Sequence, residues 1–323
     1  MRRSVLLLAL PLLMLAGCAP AGAPGPAAPT GSPPATSPDH RREGFAQWAA
    51  EVAEAWRPDP AWTKGYVPLQ GPTLLTGEPG FTSDTEAAFR SGWYREQITL
   101  PATRPADAAI RFPDGTLTVP LVSAAEAYRE LDQGDPPSCP GRPKAPPRTK
   151  GGPTIEPGPD GWVTSAPEAA CTPLTVTSVR LGTAPVRTSR GEAQVPAWLF
   201  TVEELSSPVA RLAVAPHAVT ALPEPVLPPR AAPDGVVGAQ NLQTVAGARI
   251  SYQLGVGACD TEITPLVRES DDVVVVGGVV TRTATACTDQ LVLHPVEITL
   301  KAPLGARPVL DVLTGAPLAF GVR

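Results

Sequence analysis

A mainly β protein with a small α+β N-terminal part is what this 323-residue chain predicts. Three observations carry that expectation. From about residue 171 to the end, apolar and polar residues alternate in segments rich in Val, Ile and Thr, with turn residues between them. Helical periodicity is confined to the region before residue 135. The strand-like segments follow one another without intervening helices, which favours antiparallel sandwich-like or barrel-like modules over a parallel sheet. The expected layout is a signal peptide (1–17), a disordered tether (18–40), an α+β region (41–135), a Pro/Gly-rich loop (136–170), strands completing a first domain (171–214), a linker or long loop (215–236) and a β module (237–323).

The chain opens MRRSVLLLALPLLMLAGC. Arg2 and Arg3 precede an apolar run from Val5 to Ala16. That run is too short to cross a bilayer, which takes roughly 20 apolar residues, and has the form of a cleaved export signal. Leu15-Ala16-Gly17-Cys18 resembles the lipobox of prokaryotic lipoproteins. The resemblance implies cleavage before Cys18, a thioether-linked lipid on its sulfur and acylation of the new amine. It places the chain at the cell membrane, lipid-anchored on the extracytoplasmic face. The alternative is an ordinary secretory signal that happens to contain a cysteine. Several acyl chains together hold a protein stably where one does not. Residues 19–38, APAGAPGPAAPTGSPPATSP, cannot bury a core. At about 3.1 Å per residue they reach up to roughly 60 Å from the lipid.

The net charge of −5 becomes −7 once Arg2 and Arg3 leave with the signal, which argues against nucleic acid as a partner. Lys64, Lys144, Lys150 and Lys301 are the only lysines among 26 basic residues, and there are 42 prolines. With the lipobox, this composition resembles uncharacterised secreted lipoproteins of actinobacteria. Beyond Cys18 stand Cys139, Cys171, Cys259 and Cys287. An even number outside the cytoplasm reads as disulfides, and four cysteines allow three connectivities. Nearest-neighbour pairing, Cys139–Cys171 and Cys259–Cys287, keeps each bridge within one module. A four-thiolate metal site needs close pairs such as C-x2-C, which the chain lacks, so neither metal nor cofactor is expected.

Taken in order, Phe45, Trp48, Ala49, Val52 and Trp56 fall on one stripe of a helix that Pro58 ends. Ten of the sixteen aromatics lie between Phe45 and Phe112; helical spacing reads as core, with a glycan platform as the alternative. Pro113-Asp114-Gly115 is turn chemistry before the alternating Leu117 and Val119, so a hairpin is expected. Ser123 and Glu126 form a capping box for a following helix, which Gly134 and Pro136 stop. LTVTSVRLGT reads as a strand with a bulge near Ser178-Val179. A hairpin turns near Arg190-Gly191, with Trp198, Phe200 and Val202 on one face, and RLAVAP gives the next strand. In the last module Ile250, Tyr252 and Leu254 alternate, and DDVVVVGGVVTRTATAC and VEITLKAPLG supply further strands.

Catalytic motifs are missing: there is no G-x-S-x-G, S-x-x-K, HExxH or P-loop. His40, His217 and His294 are the only histidines, and none stands beside an evident nucleophile. Glu203-Glu204, Asp271-Asp272 and Asp260 with Glu262 are the candidate carboxylate pairs; neighbours on a regular strand point to opposite faces. The expectation is therefore a non-enzymatic binding or scaffold lipoprotein, attached to the membrane through lipid on Cys18, for a protein or cell-wall partner. A hydrolase built on a carboxylate pair is the first alternative, and a glycan- or solute-binding receptor the second.

Overall fold

Helix α1 (Pro38–Ala55) begins inside the expected tether, because Ser37-Pro38-Asp39 is a start signal embedded in Pro-rich chain. The Ser37 side chain accepts a hydrogen bond from the His40 backbone N–H, proline sits in the first turn, and Asp39 meets the positive end of the helix dipole. The computed structural model describes residues 37–134, 173–282, 287–288 and 290–321. The signal peptide, the tether up to residue 36, the loop at 136–170 and Cys18, Cys139 and Cys171 lie outside them. The described residues are mostly β and form two sheets within one compact unit.

The apolar stripe of α1 is buried as expected, but its partner is the end of the chain. Phe45, Trp48, Ala49, Val52 and Trp56 share a core with Val236, Val273, Val275, Val279, Leu310 and Val312. Trp62 of the short helix α2 (Pro60–Lys64) joins them, its ring edge-on to Trp56 at 5.2 Å between centroids. The first helix therefore packs with the last module rather than with residues 171–214, with which the sequence grouped it. Periodicity shows that a face is apolar, not which surface covers it.

The first sheet holds seven strands: β1 (Thr73–Leu75), β2 (Tyr94–Glu96), β3 (Ala108–Phe112), β4 (Gly115–Val119), β5 (Leu174–Thr188), β6 (Gly191–Val202) and β7 (Val209–Leu212). β5 covers one edge of β6 along its whole length. The other edge is shared by β3, at Gln194, and β7, at residues 197–200. The register of β5 slips between Val176 and Ser178, a bulge at the break in alternation. Its hairpin with β6 closes through Gly191 at φ 94°, where a side chain would be strained. Helices α3 (Ser83–Ser91) and α4 (Ala124–Leu131) complete this half. In α4 both bonds of the capping box form: Glu126 N–H donates to Ser123 Oγ at 3.2 Å, and Ser123 N–H donates to Glu126 Oε2 at 2.9 Å. Trp198, Phe200 and Val202 are buried together, with the Trp198 indole N–H donating to Val122 O at 3.0 Å.

The second sheet runs β10 (Thr261–Glu269), β11 (Val274–Thr281), β8 (Val236–Ala246), β9 (Arg249–Gly257), β12 (Leu291–Thr299), with β13 (Val309–Asp311) parallel to β11. β11 can be crowded on all sides because it carries Gly277-Gly278. A Cβ at Gly277 would lie 2.4 Å from Val312, and one at Gly278 would lie 2.6 Å from Leu254. The strands at the two ends of this order, β10 and β12, carry Pro265 and Pro295. Proline belongs on edges because it cannot donate to a neighbouring strand.

Candidate functional site

Of the residues singled out from sequence, Cys259 and Cys287 form a disulfide with 6.1 Å between Cα atoms. It ties the turn after β9 to the segment leading into β12. The candidate carboxylates do not assemble. Glu204 accepts the Thr175 N–H at 2.8 Å, and Asp260 accepts the Gly257 N–H at 2.7 Å. Glu262 accepts the Thr281 hydroxyl at 2.6 Å and lies 4.0 Å from the Arg41 guanidinium. Asp271 and Asp272 sit in the β10–β11 turn. His40 and His217 are exposed on separate elements, and His294 lies in β12. Among the described residues no group of three or more His, Cys, Asp or Glu is placed to hold a metal. Most of the early aromatics are core: Phe45, Trp48, Trp56, Trp62, Tyr66, Tyr94 and Phe112 are all buried.

A cleft of about 730 Å³ opens where α1, α2, the β3–β4 and β5–β6 turns and the β10–β11 turn meet. Its principal cation, Arg190, is already committed. Nη2 and Nε donate to the Asp114 carboxylate at 2.7 and 3.0 Å, Nη1 donates to Lys64 O at 3.2 Å, and the guanidinium lies 3.9 Å from the Phe112 ring centroid. Ser189 Oγ donates to Trp62 O at 2.6 Å, and Ser270 Oγ donates to Val273 O at 3.0 Å. These bonds brace loops against one another. Sequence marks Arg190 only as a turn residue, because its partners lie on α2 and on the β3–β4 hairpin, far along the chain.

A second group missed from sequence is Asp311, which is 6% exposed. Its carboxylate accepts the Ala239 N–H at 2.8 Å and the Thr314 N–H and hydroxyl at 3.0 and 2.8 Å. Burial pushes its pKa up, and those hydrogen bonds oppose the shift. Asp311 staples β13 to β8, a structural task.

A second cleft, of about 490 Å³, is lined by β1, the C-terminal ends of α3 and α4 and Arg211 of β7, together with Gln243 of β8 and Phe320 near the chain end. Here two polar groups are not committed. The Tyr94 hydroxyl and the Arg211 Nε are buried without a hydrogen-bond partner. The rest of the Arg211 guanidinium donates to Thr73 Oγ1 and to Glu130 Oε2, each at 2.9 Å.

The most exposed apolar feature is β12. Leu291, Val292 and Leu293 are 61%, 38% and 38% exposed, three consecutive residues on an edge strand. Ala258 N–H donates to Gln290 O, and Leu300 N–H donates to Ala248 O. Even-numbered positions of β12 are thus the ones bonded to β9, and odd-numbered positions turn their backbone groups outward. Leu291 and Leu293 therefore offer both N–H and C=O to an incoming strand, whereas Pro295 offers only its carbonyl. Towards the other end, Lys301 N–H donates to the Glu269 carboxylate of β10, so the two edges of the sheet approach there. No described helix is long and apolar enough to cross a membrane. No protein-family model matches this chain, and no curated protein or solved structure matches it significantly.

Proposed function

We propose that this chain is an extracytoplasmic lipoprotein, held to the cell membrane through lipid on Cys18, whose β body binds a protein partner rather than performing catalysis. The observation that supports binding is the N-terminal half of β12. There an open backbone edge coincides with three consecutive exposed apolar side chains. Long exposed apolar edges are a hazard that folds normally blunt, and here the blunting proline comes only at position 295. An extended partner segment that pairs with residues 291–293 takes up the free backbone groups and covers the leucines.

Two measurements test the two halves of this reading. Replacing Cys18 with serine releases the protein from the membrane fraction; retention in the membrane pellet at the native processed mass overturns the anchor. A photo-crosslinking residue at position 291 or 293, used in intact cells, captures a reproducible neighbour that the same residue at exposed Leu181 of β5 does not. Capture of no neighbour, or of the same neighbours from both positions, overturns the edge as the binding surface.

A further inference from the structure

We infer that the 490 Å³ cleft binds a small amphipathic molecule carrying a carboxylate, its oxygens accepting from Arg211 Nε and the Tyr94 hydroxyl. This site is separate from the β12 edge and does not depend on it.

The chemistry follows from what the cleft leaves unpaired. Tyr94 is 2% exposed, and Arg211 keeps 14% of its side chain exposed. Both belong to residues lining the cleft, and Tyr94 Oη and Arg211 Nε are each buried without a partner. Folds rarely leave such groups unsatisfied. Arg211 Nε can only donate and the Tyr94 hydroxyl is able to donate, so an acceptor is the component that satisfies both. Burial pushes the Tyr94 pKa up, which keeps its hydroxyl protonated through neutral pH. In the larger cleft, by contrast, Arg190 and Ser189 already have acceptors inside the protein.

Charge and shape narrow the acceptor to a carboxylate. The Arg211 cation lies inside, and its ion partner Glu130 is 47% exposed at the rim. Glu130 and Thr73 occupy the two Nη groups, which leaves the Nε edge for a second, planar acceptor. Arg90 also lines the cleft, but its guanidinium is paired with Glu86 at 2.6 Å, so the Arg211 guanidinium supplies the charge that a ligand meets. The remaining wall is apolar: Leu74, Leu75, Phe89, Leu131 and Phe320. A carboxylate on an apolar body satisfies both parts, and the volume is that of a small-molecule site. Neither donor atom is open to solvent, so binding requires lining side chains to shift.

The test is calorimetric titration of the full mature chain with octanoate and decanoate, with phenylacetate, and with octanol, each below its micelle concentration. The first two probes represent straight-chain acids, the third aromatic acids, and the alcohol keeps the apolar body without the charge. The expected result is saturable binding of at least one acid class, with octanol at least about ten-fold weaker, the loss of one charged hydrogen bond. Tyr94→Phe removes one hydroxyl and retains the ring. It weakens acid binding about ten-fold without lowering the melting temperature, whereas a purely structural tyrosine leaves affinity unchanged. Arg211→Lys, which lacks the Nε edge, weakens acid binding while octanol binding stays the same. No binding by either acid class, equal affinity for acid and alcohol, or unaltered affinity in Tyr94→Phe overturns the inference.

Discussion

Truncating Phe45 to alanine tests the least expected feature of the fold, the packing of α1 on the last strands. The ring is 4% exposed and lies in the core that contains Val236, Val275, Val279 and Val312. Burying about 150 Å² of aromatic surface at about 25 cal/mol/Å² contributes about 4 kcal/mol. That agrees with the 3–5 kcal/mol that aromatic-to-alanine core truncations cost, roughly, once the residual cavity is included. Urea denaturation of Phe45→Ala is expected to show a loss of this size. Native-state hydrogen exchange locates it: amides of β8 and β11 should exchange faster, while those of the β5–β6 hairpin keep most of their protection. A loss below about 1 kcal/mol, the centre of the distribution for point substitutions of all kinds, refutes the reasoning. So does faster exchange confined to β5 and β6, because α1 would then not be closing the second core.

Three further outcomes follow from the same structure. Arg190→Ala should cost about 2–3 kcal/mol, less than a fully buried broken pair because Asp114 is 54% exposed; Arg190→Lys should recover little, since lysine cannot fork onto a carboxylate, and a fully stable lysine variant in urea denaturation contradicts the bracing role. The Arg104 guanidinium and the Ser123 backbone hold the Glu126 pKa down to about 2, from 4.5. A depressed carboxylate contributes stability that is complete above about pH 4.5 and lost as pH falls towards about 2, so Arg104→Ala should flatten the acid limb of a melting-temperature profile, and an unchanged limb refutes the pairing. Replacing Cys259 and Cys287 together with serine should cost about 3–4 kcal/mol in the chain-entropy estimate, given their separation of 28 residues; equal urea midpoints for the variant and the oxidised parent would show that the bridge does not constrain the chain.

The legible parts of the fold were those whose causes lie within a few residues. The Ser123–Glu126 capping box, the turns at Pro113-Asp114 and Arg190-Gly191 and the bulge after Val176 each depend on neighbours in sequence, and each is present. Helices α2 and α3 also carry local signals: Asp59 before Pro60, and Thr82 paired with Thr85, ahead of Gly92 in the left-handed conformation. The surface under α1 was not legible, because Val236 and Leu310 lie far along the chain from Phe45. The candidate cleft was still less visible. Tyr94 and Arg211 come from different strands, and neither stands in a motif; the Tyr66 and Tyr128 hydroxyls and Ser207 Oγ are also buried without partners, and only Tyr94 and Arg211 among these line the cleft. Of the candidate carboxylates, Glu204, Asp260 and Glu262 each accept from a backbone or hydroxyl group of the fold, which adjacency in sequence does not reveal.

The packing of α1 on β8, β11 and β13 sets an order of events during synthesis. The first sheet can assemble once residue 212 is out of the ribosome or the export channel, whereas the aromatic stripe near the start must wait for residue 312. Until then Phe45, Trp48 and Trp56 are only partly covered, and the nascent chain carries an attachment point for any holding chaperone. Truncation from the C-terminal side before β13 would strand the same stripe, so a small late deletion should be felt most strongly at the opposite end of the sequence.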